Sequence, residues 1–235
     1  MKSSSESGFG ARAANAEKLV TALQYFDNYQ PQKPGQGFAA FSALLLIVKE
    51  KNRMVAEKRQ NYSLAVENRK QLFTSGENAI RKLLSPIRAT IRASFGKTSK
   101  QAHDINSIIA KIRGTNKTYN VDRSSIENNV SLSYRSFGSQ AQFFSDLIVN
   151  LENFGAAYAP SNSNLSITAL KNLLAEATEA NNLLMAVYTE LRQANRNRIT
   201  AHAELSATAQ GIKDSVKAQY GTQKSEYRLI KGFKI

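Results

Sequence analysis

The chain has 235 residues, 42% hydrophobic and 21% charged, enough to bury a sizeable core. With no Cys and only two histidines, His103 and His202, it excludes disulfides, thiolate metal sites, a thiol nucleophile and a His-rich metal centre. The formal charge of +14 attracts nucleic acid, acidic partners or anionic lipid without choosing among them.

That charge is uneven: residues 1–114 carry 19 Lys and Arg against 8 Asp and Glu, and residues 115–235 carry 13 against 10. Four prolines and abundant Ala, Leu, Lys, Asn, Gln and Ser fit an all-α fold. The Ser-rich start lacks the apolar stretch of a signal peptide, and no segment reaches the roughly 18–20 apolar residues of a membrane span, so a cytoplasmic location is expected.

Residues 1–10 are expected to be flexible. From Ala11 to Gln30, Leu19, Ala22, Leu23 and Phe26 fall at helical spacing, and Pro31, Pro34, Gly35 and Gly37 end that helix. A long helix is predicted from Phe38 through Phe41, Leu45, Val48, Asn52, Val55, Arg59, Tyr62, Val66, Arg69 and Phe73. Ser75-Gly76 marks a break or bend, after which Ile80, Leu83, Leu84, Ile87 and Ile91 lead to Phe95-Gly96, with a kink or restart expected at Pro86. Ser99 caps a shorter helix holding Ile105, Ile108, Ile109 and Ile112.

The polar segment Thr115–Val121 reads as a linker. Asp122 is predicted to cap a helix running through Ile126, Val130, Tyr134, Phe137, Ala141, Phe144, Ile148, Leu151 and Phe154. After a turn at Tyr158–Asn164 comes the longest element, Leu165–Gly221. Its seam runs Leu170, Leu174, Ala177, Asn181, Leu184, Tyr188, Leu191, Asn195, Arg198, His202, Leu205, Ala209, Ile212 and Val216, a coiled-coil-like spacing that needs a long partner. A basic, aromatic tail, residues 222–235, closes the chain.

The two halves echo each other. Tyr29-Gln30-Pro31 matches Tyr158-Ala159-Pro160 at an offset of 129, Asn52 matches Asn181, Asn68-Arg69 matches Asn195-Arg196 at 127, and the stretch ending Phe95-Gly96 matches that ending Tyr220-Gly221 at 125. The expected organisation is therefore a duplicated pair of helical hairpins, residues 11–114 and 122–221, in an elongated all-α bundle of four main helices and a short fifth.

The ending Tyr220, Gly221, Ser225, Glu226, Tyr227, Ile230 and Lys231 resembles that of uncharacterised bacterial all-helical proteins. The resemblance covers the ends of the two hairpins better than their middles and implies no activity.

Chemistry-bearing groups do not converge in the sequence. His202 stands in the seam without a carboxylate or histidine at ligand spacing, and Pro34-Gly35-Gln36-Gly37 lacks both a preceding strand and a P-loop Lys, so neither a catalytic residue nor a cofactor or metal site is assigned. Asn52, Arg59, Arg69, Asn181, Asn195 and Arg198 are polar seam positions suited to fixing register.

The expected function is that of a non-enzymatic structural protein, a homo-oligomer or filament, associating through apolar seams and the tail residues Tyr220, Tyr227, Ile230, Phe233 and Ile235. The tail folding back on its own bundle is the opposing expectation. An alternative is sequence-independent nucleic-acid binding by Lys49, Lys51, Arg53, Lys58, Arg59, Arg69, Lys70, Arg81, Lys82, Arg88 and Arg92, with Lys97 and Lys100 beyond them. A third reading is a membrane-active protein inserting the apolar run Phe38–Val48.

Overall fold

The computed structural model describes residues 8–114 and 129–235, with the backbone alone for 129–136. The linker placed at 115–121 and the cap placed at Asp122 lie outside the described residues. Within them the chain is all α, without a strand: α1 (Phe9–Gln24), α2 (Phe38–Lys70), α3 (Ile80–Phe95), α4 (Lys100–Arg113), α5 (Asn129–Asn153), α6 (Ile167–Tyr220) and α7 (Ser225–Ile230). The helices pack as a bundle on two cores.

The compact units are not the successive hairpins expected at 11–114 and 122–221. One unit takes the chain up to Asn61 together with Tyr188–Ile235, and the other takes Tyr62–Val187. The reason lies in helix length. The 54 residues of α6 extend roughly 80 Å at 1.5 Å per residue, more than a helix the length of α1 can cover, so α2 and α6 each give one part to each unit.

In the first unit α1 contributes Ala13, Ala16, Leu19, Ala22 and Leu23, one stripe on successive turns whose three alanines let it lie close to its neighbours. Phe41, Leu45 and Val48 of α2, Ala201, Leu205, Ala209, Ile212 and Val216 of α6, and Ile230 of α7 complete this core. In the second unit Phe73, the apolar stripe Ile80, Leu83, Leu84, Ile87 and Ile91 of α3, and the isoleucines of α4 pack with Phe144, Leu147, Ile148 and Leu151 of α5 and Leu170 of α6.

Local geometry explains several helix ends. Ser99 accepts a hydrogen bond from the Ala102 amide as the N-cap of α4. Gly96 and Gly221, at φ 89° and 90°, end α3 and α6 in a conformation that a side chain would strain. α2 closes in one π turn, Gln71–Ser75, at the expected break or bend, and α3 runs on through Pro86 without restarting there.

α1 stops at Gln24, six residues short of expectation, for a tertiary reason. The backbone beyond it is claimed by the end of α6: Gln30 N–H donates to Gln219 Oε1 at 2.9 Å, Gln219 Nε2 to the Asn28 carbonyl at 2.7 Å, and Tyr220 Oη to the Asp27 carbonyl at 2.6 Å.

Each long helix is entered in the same way. Tyr158 Oη donates to the Leu165 carbonyl at 2.8 Å, and Tyr29 Oη to the Gln36 carbonyl at 3.4 Å. Both carbonyls end three-residue 3-10 turns, Ser163–Leu165 and Pro34–Gln36. The Tyr158 hydroxyl is the more enclosed, and burial pushes its pKa up to about 12. In the first unit Gln36 also reaches α6 at Gly211, where an added Cβ would stand 2.4 Å from Gln36 Nε2, and its Oε1 accepts from Ser215 Oγ at 2.7 Å. Gly211 is thus a docking point for the turn that starts α2.

Candidate functional surfaces

The C-terminal tail is folded onto the first unit. Ile230 is fully buried, and Tyr220, Tyr227, Phe233 and Ile235 pack partly buried against the same core. Two side chains tie down the tail backbone: Lys213 Nζ donates to the Phe233 carbonyl, and Asn15 Nδ2 to the Lys234 carbonyl at 2.9 Å. Of the five residues expected to contact another copy, Ile230 is therefore occupied within its own chain. What the tail leaves open is an apolar groove of about 830 Å³ between α1 and α7, lined by Ala14, Thr21, Tyr25, Phe26, Leu229 and Phe233 with Glu17, Lys18 and Glu226. Tyr25 and Leu229 are 80% and 58% exposed.

A second apolar surface of this unit lies on α2. In the run Phe38–Val48, Phe41, Leu45 and Val48 turn into the core. Leu46 and Ile47 are 65% and 51% exposed, and Ala39, Ala40 and Ala43 are exposed with them. The sequence carried this signal as a run apolar on every side, which a one-faced seam does not require. No helix among the described residues is long and apolar enough to cross a membrane.

Polar seam residues meet in a buried cluster of the first unit. His202 is 1% exposed, and its Nε2 stands 3.1 Å from Asn52 Oδ1. Its ring lies 4.7 Å from that of Phe9, whose other contact is the Arg198 guanidinium, 4.1 Å from the ring centroid. Arg198 donates to Asn195 Oδ1 at 2.8 Å. In the second unit Arg69 lies 4.3 Å over Phe137, and Phe73 meets Phe137 edge-on at 4.8 Å. Arg69 and Arg198, 129 residues apart, thus make like contacts with phenylalanine rings, whereas the sequence match of Asn68-Arg69 falls on Asn195-Arg196 at 127. Asn181, 5% exposed in the second unit, has no partner for its Oδ1 among the described residues.

Burial, then the charges of Arg12 and Arg198, hold the His202 pKa below its ordinary 6.5. Among the described residues no carboxylate faces it: α1 presents Arg12 and Phe9, α2 presents Asn52, and α6 presents Arg198. The unfolded chain thus binds this proton more tightly than the folded one. The stability it contributes is complete above pH 6.5 and is lost as pH falls toward the depressed folded value. Thermal melts at pH 7 and pH 5 are expected to show a larger fall in Tm for the native chain than for His202→Gln, about 2–4 °C for each kcal/mol lost in a chain of this size.

The basic residues fall into two groups. On α2 most are already satisfied: Lys49 pairs with Glu17, Arg53 with Glu50 at 2.8 Å and Glu57 at 3.2 Å, Lys58 with Glu190 at 2.8 Å, and Lys70 with Glu67 at 3.5 Å. The Arg53 guanidinium holds the Glu50 carboxyl below the usual carboxylate range. Arg69, expected at a nucleic-acid surface, is 4% exposed because its guanidinium covers Phe137. Lys51 and Arg59 have no ion pair among the described residues. The second group belongs to α3 and α4. Lys82 bonds the Ser75 carbonyl at 3.0 Å, and Lys100 pairs with Asp104 at 2.7 Å. Arg81, Arg88, Arg92 and Arg113 have no acidic partner among the described residues.

No group of three or more His, Cys, Asp or Glu able to hold a metal ion occurs among the described residues. Comparison with protein-family models, with curated proteins and with solved structures finds no match to this chain.

Proposed function

We propose that this chain is a non-enzymatic structural protein that associates with further copies of itself through its first unit. The observation that carries this reading is the exposed apolar stripe of α2, Ala39, Ala40, Ala43, Leu46 and Ile47, on a helix whose opposite face is already committed to the core. Charge supports it. A protein of net charge +14 repels its own copies, and they approach most readily where charge is balanced locally. The stripe leads into such a place, since Lys49, Arg53 and Lys58 are each paired with glutamate.

The groove between α1 and α7 supplies a concave apolar surface on the same unit. A contact of the stripe of one copy with the groove of the next is heterologous, and if its rotation does not close it propagates as a filament. The two matching Tyr-to-carbonyl bonds, the two Arg-over-Phe contacts and the two glycine stops support reading the chain as an internal duplication.

Size-exclusion chromatography with light scattering, at low and high salt, tests the proposal. The native chain is expected to form particles larger than a monomer that persist in high salt, because apolar contacts are not screened. Ile47→Glu is expected to weaken the association at least tenfold while leaving the melting temperature within about a degree. A native chain that stays monomeric at both salts up to high concentration overturns the reading.

A further inference from the structure

We propose that the outer face of α3 and α4 in the second unit, carrying Arg81, Arg88, Arg92 and Arg113, binds the phosphate backbone of duplex nucleic acid. This is a function separate from self-association and on different residues. α3 holds Arg81, Lys82, Arg88 and Arg92 with no Asp or Glu in its sixteen residues. Arg81, Arg88 and Arg92 are seven and eleven residues apart, which keeps them within about 40° around the helix and spreads them over roughly 16 Å.

α4 adds Arg113. It lies near enough to Arg88 for the two positive charges to oppose each other, and Arg92 presses on Arg88 in the same sense. Like charges gathered with no carboxylate partner among the described residues cost free energy in the free protein, and an anion laid across them removes that cost. The Nε of Arg88 is enclosed and has no hydrogen-bond partner, so one fork of the guanidinium remains unsatisfied.

The side chains around this face select the anion. All four residues are arginines, whose planar forks match phosphate oxygens better than ammonium groups do. A lipid surface would also be anionic, but an interfacial helix needs an exposed apolar face. The apolar stripes of α3 and α4 are buried in the core, and no large hydrophobic residue of either helix is exposed. Single-stranded nucleic acid calls for exposed aromatic platforms, and neither helix offers one: Phe95, the aromatic of α3, packs on Phe154. What remains is a contact to the backbone of a duplex, indifferent to sequence and steep in salt.

Fluorescence anisotropy with a labelled 30-base-pair DNA duplex of random sequence, titrated at several salt concentrations, tests this on the full chain. Arg88→Gln combined with Arg92→Gln is expected to weaken binding at least tenfold and to reduce the salt slope by about two. Lys51→Gln with Arg59→Gln removes the same charge from the first unit and is expected to change affinity less than threefold. Should the partly buried Arg88 be needed for folding, as a lowered melting temperature would show, Arg81→Gln with Arg92→Gln changes exposed positions only and is expected to act in the same direction. Absence of duplex binding by the native chain overturns the proposal. So does an equal loss in the α2 control, which would leave only net charge. Binding that is confined to phosphatidylglycerol vesicles would assign the face to a membrane, and tighter binding to a single strand of the same length would overturn the duplex reading.

Discussion

Phe41→Ala is expected to cost about 3–5 kcal/mol of stability, the range for emptying a fully buried aromatic site. Phe41 is 0% exposed and, among the described residues, is the one fully buried aromatic of its core, so its removal leaves a large cavity among aliphatic side chains held on packed helices. The replacement separates the two faces of one apolar run. If Phe38–Val48 serves the fold through Phe41, Leu45 and Val48, then Phe41→Ala lowers the denaturant midpoint sharply, while Ile47→Ala, six residues on, changes it within about 0.5 kcal/mol. If instead the run is held for insertion into a bilayer, both substitutions leave the folded chain nearly untouched and alter the release of liposome contents together. Chemical denaturation of the two variants beside the native chain decides the matter.

The all-α class was legible because helical periodicity is written into each segment, and the breaks near residues 76, 96 and 221 were legible because glycine and its turns are local. Other boundaries depend on residues far away. Between Tyr25 and Gln30 the local signal is weak, Asn28 in the left-handed region at φ 55°, and Gln219 and Tyr220 reinforce it by claiming the carbonyls of Asn28 and Asp27. The pairing of halves into units was hidden for a related reason. Amphipathic faces of similar composition accept one another in many combinations, and sequence gives no means of knowing that α2 and α6 divide their lengths between two cores.

The candidate surfaces followed the same rule. Sequence shows a charge but not its neighbour, so Lys49 and Lys58 stood beside Arg88 and Arg92 as equal candidates, although Glu17 and Glu190 already occupy the first two. Arg69 was equally opaque, since Phe137 lies far from it along the chain. The placement of His202 in the seam was visible from spacing alone. Its partner Asn52, 150 residues away, was not.

Ile230→Ala is expected to cost about 2–5 kcal/mol and to loosen the tail, whereas Leu229→Ala, one residue before it, is expected to stay within about 0.5 kcal/mol. The contrast rests on geometry: Ile230 is 0% exposed in the core of the first unit, and Leu229 is 58% exposed at the groove. A helix of six residues has little stability of its own, so α7 stays in place by what it buries and by the bonds from Lys213 and Asn15 to the backbone beyond it. Removing the isoleucine side chain should therefore release the whole segment after Gly221. Limited proteolysis reads this directly, through faster cleavage at Lys224, Arg228 and Lys231 in Ile230→Ala than in Leu229→Ala. Equal cleavage and equal stability would mean that the tail is not anchored, and Tyr227 and Ile230 would then return as surfaces for another copy. Selective release would instead tie assembly to anchoring, because the groove that Leu229 and Phe233 share with Tyr25 exists only while α7 is docked. Ile230→Ala would then weaken self-association as well, without touching any exposed residue.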